Sequence, residues 1–224
     1  MNAATANTKI ETARFNMIEQ QIRTWDVLDP TVLQLLNDVP REAFVPVAYQ
    51  GLAFADLEIP LGNGHVMLSP KLEARMLQAL SVKKTDRVLH VGTGTGYMTA
   101  LIAKLAKEVI SVDVEASLSA LASGHLQQQQ IHNVTLEVGD AAQGWPQKAP
   151  YDVIVFGASS PVEPAQVRQQ LAINGRLLIV LGSAPVMRAT LIQRISEHGY
   201  KEDVLFETCI APLVNAPQAQ PFQF

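Results

Sequence analysis

The sequence predicts an α/β fold built on a doubly wound, Rossmann-like sheet, and three observations carry that expectation. Short apolar runs alternate with helix-compatible segments from Arg87 onward, a glycine-rich loop follows the first of those runs, and an aspartate closes each of the next two. Arg87-Val88-Leu89 reads as a strand, followed by His90-Val91-Gly92-Thr93-Gly94-Thr95-Gly96-Tyr97 and a helix from Tyr97 to Lys107. Val109 to Val112 forms the next strand, ending in Asp113, with a helix over Ala116 to Gln130 behind it. Val134 to Val138 is the third strand and leads to Gly139-Asp140. Strand Asp152 to Phe156, a helix around Gln166 to Leu171 and strand Arg176 to Leu181 continue the alternation. Thr190 to Ile195 and Val204 to Leu213 are two further strands, and the short Glu197 to Lys201 connection makes them an antiparallel pair at the sheet's edge.

Ahead of this core the sequence predicts a helical extension. Phe15, Met17, Ile18 and Ile22, then Val32, Leu33, Leu35 and Leu36, recur at helical spacing, and Asp29-Pro30 and Val39-Pro40 punctuate them. The expected organisation is therefore a helical extension over 1–80, a core over 81–214 and an extended tail over 215–224, with no internal repeat.

Composition narrows the class. The chain has 224 residues, 48% hydrophobic and 17% charged, enough to bury a core and too apolar for general disorder. A net charge of −4 without a basic run argues against an electrostatic grip on nucleic acid. The longest apolar run, Leu177 to Leu181, is too short to span a membrane, and the polar stretch Met1 to Lys9 lacks the apolar region of a secretory signal, so a cytoplasmic location is expected. The lone Cys209 excludes an internal disulfide and reads as a buried thiol in a strand.

The glycine loop carries the chemistry. Glycines at alternate positions let the backbone approach a ligand closely, and the following helix points free N–H groups at it. The dinucleotide pattern needs its third glycine one place later, where Tyr97 stands, which favours a class I methyltransferase holding S-adenosylmethionine over a dehydrogenase. Asp113, roughly 20 residues beyond the loop, is placed to accept from ribose hydroxyls. Asp140, with Ala141 beside it, is placed for the exocyclic amine of an adenine, although an aspartate after a glycine is also a common turn residue. The expected cofactor set is Gly92, Thr93, Gly94, Thr95, Gly96, Tyr97, Asp113, Asp140 and Ala141.

Several segments together resemble the protein-L-isoaspartate O-methyltransferases over almost the whole chain. Val39-Pro40-Arg41-Glu42-Ala43-Phe44-Val45-Pro46 is similar to that family's Val-Pro-Arg-Glu-x-Phe-Val-Pro segment, and Ala53-Phe54-Ala55-Asp56 with Ile59-Pro60-Leu61-Gly62 resembles its Ala-Tyr-x-Asp and Leu-Pro-Ile-Gly pair. The glycine loop, Gly139-Asp140 with Gly144-Trp145, and Pro212-Leu213-Val214 follow in the same order. The resemblance implies methyl-ester formation on isoaspartyl residues of damaged proteins, with S-adenosylmethionine as cofactor and an isoaspartyl protein or peptide as partner. It also implies an acceptor-side loop within the extension, at His65, Val66, Met67 and Leu68.

The departures fall at that loop. Where the family has Gln/Ala-Thr-Ile-Ser-x-Pro, this chain reads His65-Val66-Met67-Leu68-Ser69-Pro70, so Leu68 takes the place of the serine regarded as the family's active-site residue. Ser69 replaces it only if the loop shifts by one residue, and is more simply a turn or cap ahead of Pro70. Asp56 is read equally as an acceptor-positioning group or a turn residue, and His90 stands where the family usually opens its loop with an acid. No Cys, His and carboxylate set surrounds His65 and His90 with ligand spacing, so no metal is expected. His125, His132 and His198 read as solvated, and Trp145 as core packing. A related methyltransferase with a changed acceptor, and a non-catalytic adenosylmethionine-binding regulator, are the alternatives. The tail, with Phe222 and Phe224, is expected to dock on a surface.

Overall fold

The computed structural model describes residues 3–219, which divide into two compact units, Met1–Ser81 and Val82–Phe224. In the first unit, α1 (Ala3–Asn16) runs into a π-helical turn at Met17–Ile22 and a 3-10 turn at Arg23–Trp25. Met17, Ile18 and Ile22 are buried, whereas Phe15, expected on the same apolar face, is 61% exposed. The π turn accounts for the difference, because its wider winding breaks the 3.6-residue spacing on which that expectation rests. Helix α2 (Pro30–Asp38) starts where its residues dictate: Asp29 Oδ1 accepts from the Thr31 N–H at 2.7 Å, and Pro30 takes the first helical position.

Two strands in this unit escaped the sequence reading. β1 (Ile59–Gly62) and β2 (His65–Met67) form an antiparallel hairpin, turned by Gly62, Asn63 and Gly64 at φ of 93°, 50° and 80°. The unit closes with α3 (Pro70–Leu80).

Arg41 organises the irregular chain between these elements. Fully buried, it donates from Nε to the Ala53 carbonyl at 2.9 Å and from Nη2 to the Leu68 carbonyl at 2.6 Å, while Nη1 meets the Glu73 carboxylate. Burial pushes the Glu73 carboxyl up to about 7, against the opposing pull of Arg41. One guanidinium thereby fixes a turn, the end of the hairpin and helix α3.

The second unit is the expected doubly wound sheet. Its strands are β3 (Arg87–Val91), β4 (Glu108–Asp113), β5 (Val134–Val138), β6 (Tyr151–Ser160), β7 (Leu171–Ser183), β8 (Val186–Arg194) and β9 (Tyr200–Thr208). They lie in the order β5-β4-β3-β6-β7-β8-β9. β3 to β7 are parallel, and β8 and β9 add antiparallel to the edge. Helix α4 (Tyr97–Leu105) connects β3 to β4, and α5 (Ala116–Gln128) connects β4 to β5. The central strands read as unbroken apolar runs because a parallel sheet is covered on both faces, and Val153, Ile154, Val155 and Phe156 are all fully buried. The strand order reverses between β3 and β6, where a doubly wound sheet opens a ligand crevice at the carboxyl ends of its strands.

Three expectations are corrected. The helix around Gln166 to Leu171 is a single 3-10 turn at Arg168–Gln170, because Leu171 already pairs with Tyr151 as the first residue of β7. β9 ends at Thr208, short of Leu213, and the chain beyond it runs beside β6: Ser159 N–H donates to Ala211 O and Leu213 N–H to Ser159 O. Cys209 is consequently exposed, since it sits where the chain leaves the sheet edge, and Ile210 takes the buried position. Phe222 and Phe224 lie outside the described residues.

Replacing Arg41 with Met leaves Glu73 buried without its counter-charge and should cost about 3–5 kcal/mol in denaturant unfolding. Arg41→Met combined with Glu73→Leu should cost clearly less than the sum of the two single changes. Additive losses would mean that the two side chains are not coupled.

Candidate functional site

The glycine loop follows β3, at the point where the strand order reverses. Gly92, Gly94 and Gly96 have φ of 89°, 54° and 87°, a region that other residues enter only with strain, so the loop requires all three. Gly96 is also the N-cap of α4, and a Cβ there would come within 3.0 Å of the Ala122 Cβ on α5. Above Gly92 a Cβ would meet nothing closer than Gly157 Cα at 3.9 Å, so backbone on that side lies open to a ligand. The first turn of α4 adds backbone N–H groups that the helix cannot satisfy internally.

Asp113 holds this loop in place. Its Oδ2 accepts from the Gly94 N–H at 2.8 Å and its Oδ1 from the Glu115 N–H at 2.9 Å, with the side chain almost wholly buried. A carboxylate offers about four acceptor directions, so two remain after these bonds. Asp113 is therefore first a loop anchor, with acceptor capacity left over.

Asp140 divides its carboxylate in the same way. Oδ1 accepts from the Ala142 N–H at 2.9 Å, the Asx-turn role, and Oδ2 accepts from Asn215 Nδ2 at 3.0 Å. Ala141 is buried beside it, and its carbonyl accepts from Gly144 N–H at 2.9 Å. Trp145 packs against the core of the sheet and over Gly139, where a Cβ would come within 2.7 Å of the indole.

A buried polar cluster lies under the loop. His90 Nδ1 meets Thr99 Oγ1 at 2.8 Å and Ser111 Oγ at 3.3 Å, Ser111 Oγ meets Thr99 Oγ1 at 3.1 Å, and Thr93 Oγ1 meets Ser111 Oγ at 2.7 Å. All four side chains are buried, and desolvation pushes the His90 imidazole down to about 4, so it is neutral at physiological pH. The cluster ties β3, β4 and α4 to the loop from below. Sequence reasoning registered His90 without its partners; the available signal was the pairing of parallel strands, which puts Ser111 opposite His90. His125, read as solvated, instead bonds the Thr95 carbonyl through Nδ1 at 2.8 Å. It faces the loop because α5 packs against Gly96. Thr95 and Tyr97 are buried within this assembly.

The remaining sequence candidates belong to the first unit. His65, Val66 and Met67 form β2, and Leu68 is 7% exposed, its carbonyl held by Arg41. Ser69 is the N-cap residue of α3, with Pro70 at the first helical position, though its hydroxyl makes no capping bond. Asp56 pairs with Lys71 at 2.6 Å, and Lys71 in turn sits 4.0 Å over the Trp25 ring. Among the described residues no group of three or more His, Cys, Asp or Glu is arranged to hold a metal, and no helix is long and apolar enough to cross a membrane.

The family model for protein-L-isoaspartate(D-aspartate) O-methyltransferase matches residues 12–218. The chain belongs to this family. A curated protein-L-isoaspartate O-methyltransferase 1 from Rhodopseudomonas palustris (strain HaA2) is 36% identical over 208 residues, covering 92% of this chain and 85% of that protein. Another from Geotalea uraniireducens (strain Rf4) is 34% identical over 201 residues, covering 89% and 92%. Among solved structures, a protein-L-isoaspartate O-methyltransferase aligns with a TM-score of 0.75 at 23% identity, over 89% of this chain and 65% of that one. A putative family member from Plasmodium falciparum, solved in complex with S-adenosyl-L-homocysteine, aligns with a TM-score of 0.76 at 20% identity, over 91% and 97%. At these identities the two structures support the fold.

The buried imidazole makes a signed pH prediction. A histidine whose folded value falls from 6.5 to about 4 contributes stability that is complete above 6.5 and is lost as pH falls towards 4, because the unfolded chain takes up the proton first. Denaturant titrations should show a steeper loss between pH 6.5 and 4 in the wild type than in His90→Gln. Parallel pH profiles would contradict a buried neutral His90.

Proposed function

We propose that this family member transfers the methyl group of S-adenosylmethionine to the carboxylate of isoaspartyl residues in proteins or peptides, and does so slowly. The observation that carries the cofactor assignment is the loop itself: three glycines at positive φ, anchored by Asp113 at the carboxyl ends of adjacent parallel strands. Gly92 leaves room for a close backbone approach, Asp113 has acceptor directions left for ribose hydroxyls, and Asp140 Oδ2 can exchange its Asn215 amide for an adenine amine. The cofactor supplies a sulfonium-bound methyl group open to in-line displacement.

The chain's own task is to bind and align. An acceptor carboxylate with a pKa of about 4 is already ionised at neutral pH, so no general base is needed. Orientation of the two reactants supplies most of the acceleration. The family serine would add one hydrogen bond to the acceptor, and a bond to a charged group is worth roughly 1.5–3 kcal/mol. Leu68 offers none, which makes the reaction slower without abolishing it. The exposed, unpaired Cys209 fits a reducing cytoplasmic setting.

A second reading has its own support: Leu68 and Met67 are both buried and the loop backbone is pinned by Arg41, which suits an acceptor other than an isoaspartyl carboxylate. Transfer of labelled methyl to an isoaspartyl peptide, beside its aspartyl control, separates the two. The proposal expects slow, isoaspartyl-selective labelling that Leu68→Ser raises by up to about 10- to 150-fold. No labelling by either folded protein, with cofactor bound, would favour a changed acceptor.

A further inference from the structure

Asn-Gly occurs twice in the sequence, at Asn63-Gly64 and Asn174-Gly175, and in both pairs the asparagine is left-handed, with φ of 50° and 66°. The dipeptide is reactive as well as turn-forming. Glycine has no side chain to shield its amide nitrogen, which can attack the asparagine side-chain carbonyl and close a five-membered ring, one source of asparagine's thermal lability. The chemistry is the same in both pairs, and their surroundings are opposite.

Asn63 and Gly64 form the centre of the β1–β2 turn, and both are exposed. Neither the Asn63 side chain nor the Gly64 N–H has a hydrogen-bond partner among the described residues, and a Cβ on Gly64 would meet nothing within 4 Å. The hairpin is a two-stranded sheet of its own, with strands of four and three residues. Ile59 and Met67 are buried and anchor its far end, which leaves the turn end unsupported. A hairpin this short is marginal by itself, so opening the turn and rotating Asn63 into ring-closing geometry is a low-energy local event.

Asn174 is exposed too, but its reaction partner is not. Gly175 is buried in β7, where a Cβ would stand 2.8 Å from the Ala172 carbonyl oxygen, 2.9 Å from that of Tyr151 and 3.1 Å from that of Asp152. It lies between the Tyr151↔Leu171 and Val153↔Arg176 pairs, in a strand with neighbours on both sides. Freeing this nitrogen requires β7 to part from β6, an opening at the expensive end of the range.

We propose that Asn63 is a deamidation site at which the hairpin turn becomes an isoaspartyl linkage, while Asn174 is spared. The Gly64 nitrogen gives up its proton and bonds to Asn63 Cγ; the bond from Cγ to the side-chain nitrogen breaks, and that nitrogen leaves as ammonia with the proton. Water then opens the ring. Attack at the main-chain carbonyl carbon leaves Asn63 joined to Gly64 through Cγ, as isoaspartate, and attack at Cγ leaves aspartate. Solvent is the only co-reactant. The isoaspartyl product adds a methylene to the main chain and a carboxylate to the turn immediately ahead of β2, so it loosens the pairing of the strand that leads to Leu68.

The test ages the full chain in mildly alkaline buffer and follows both sites by peptide mapping, with fragmentation that distinguishes isoaspartate from aspartate. In folded protein Asn63 should convert at least about tenfold faster than Asn174, the ratio set by about 1.4 kcal/mol between the two openings. In denaturant the two rates should converge, because only the fold separates them. Asn63→Gly, which keeps the left-handed turn, should remove the fast conversion and leave Asn174 unchanged. Amide exchange at Met67 should quicken on ageing in the wild type and not in this variant. Equal rates in the folded protein, conversion of Asn174 first, or an Asn63 that converts only in denaturant would overturn the proposal, and unchanged exchange at Met67 would overturn the link to β2.

Discussion

Two backbone N–H groups, from Gly94 and Glu115, converge on the carboxylate of Asp113, and the site depends on that convergence. A loop with three residues at positive φ has no regular hydrogen-bond ladder of its own, so its shape must be imposed from outside. An ionised acceptor is well suited to the role, because its hydrogen bonds are roughly twice as strong as neutral ones. The hydroxyl cluster centred on Ser111 supports the loop from beneath, and His125 holds the Thr95 carbonyl from α5. The open face above Gly92 is the consequence: the backbone is held from below and the side, and stays free towards the crevice.

The first unit uses the same physics at another place. Arg41 binds two backbone carbonyls and one carboxylate in the interior, and so fixes the Leu68 end of the hairpin and helix α3 relative to each other. Burying a charge is expensive unless every polar direction finds a partner. Both units therefore place buried ionic groups where the chain is least regular, and leave the regular elements to apolar packing.

Much of this was legible in the sequence, for reasons that differ by element. The parallel strands were readable because double-sided burial turns them into unbroken apolar runs, and the loop because only glycine tolerates its dihedrals. The β1–β2 hairpin was hidden because each strand is only three or four residues long, too short for an alternating pattern to register. The exposure of Cys209 was hidden because an apolar run does not announce where its strand stops. Asp113 was singled out for a ligand, yet its present bonds are to the loop, an anchoring role that requires knowing how β4 lies beside β3. The same holds for His90, Thr99 and Ser111, which are 9 and 12 residues apart in sequence and meet only where β3, β4 and α4 pack together. Asn215 lies 75 residues from Asp140, and no local pattern connects them.

Leu68 and His90, which the sequence reading singles out against the family's pattern, are both buried. Arg41 takes the Leu68 backbone carbonyl, which any residue supplies, and His90 finds hydroxyl partners. The central claim, that the Asp113-anchored loop forms a nucleoside site, is tested most directly by titrating S-adenosylhomocysteine into the wild type and Asp113→Asn by calorimetry. The account predicts one-to-one binding that the substitution weakens by roughly 10- to 150-fold, the worth of a charge-assisted hydrogen bond. No heat at millimolar ligand, or an unchanged affinity in the variant, would contradict it.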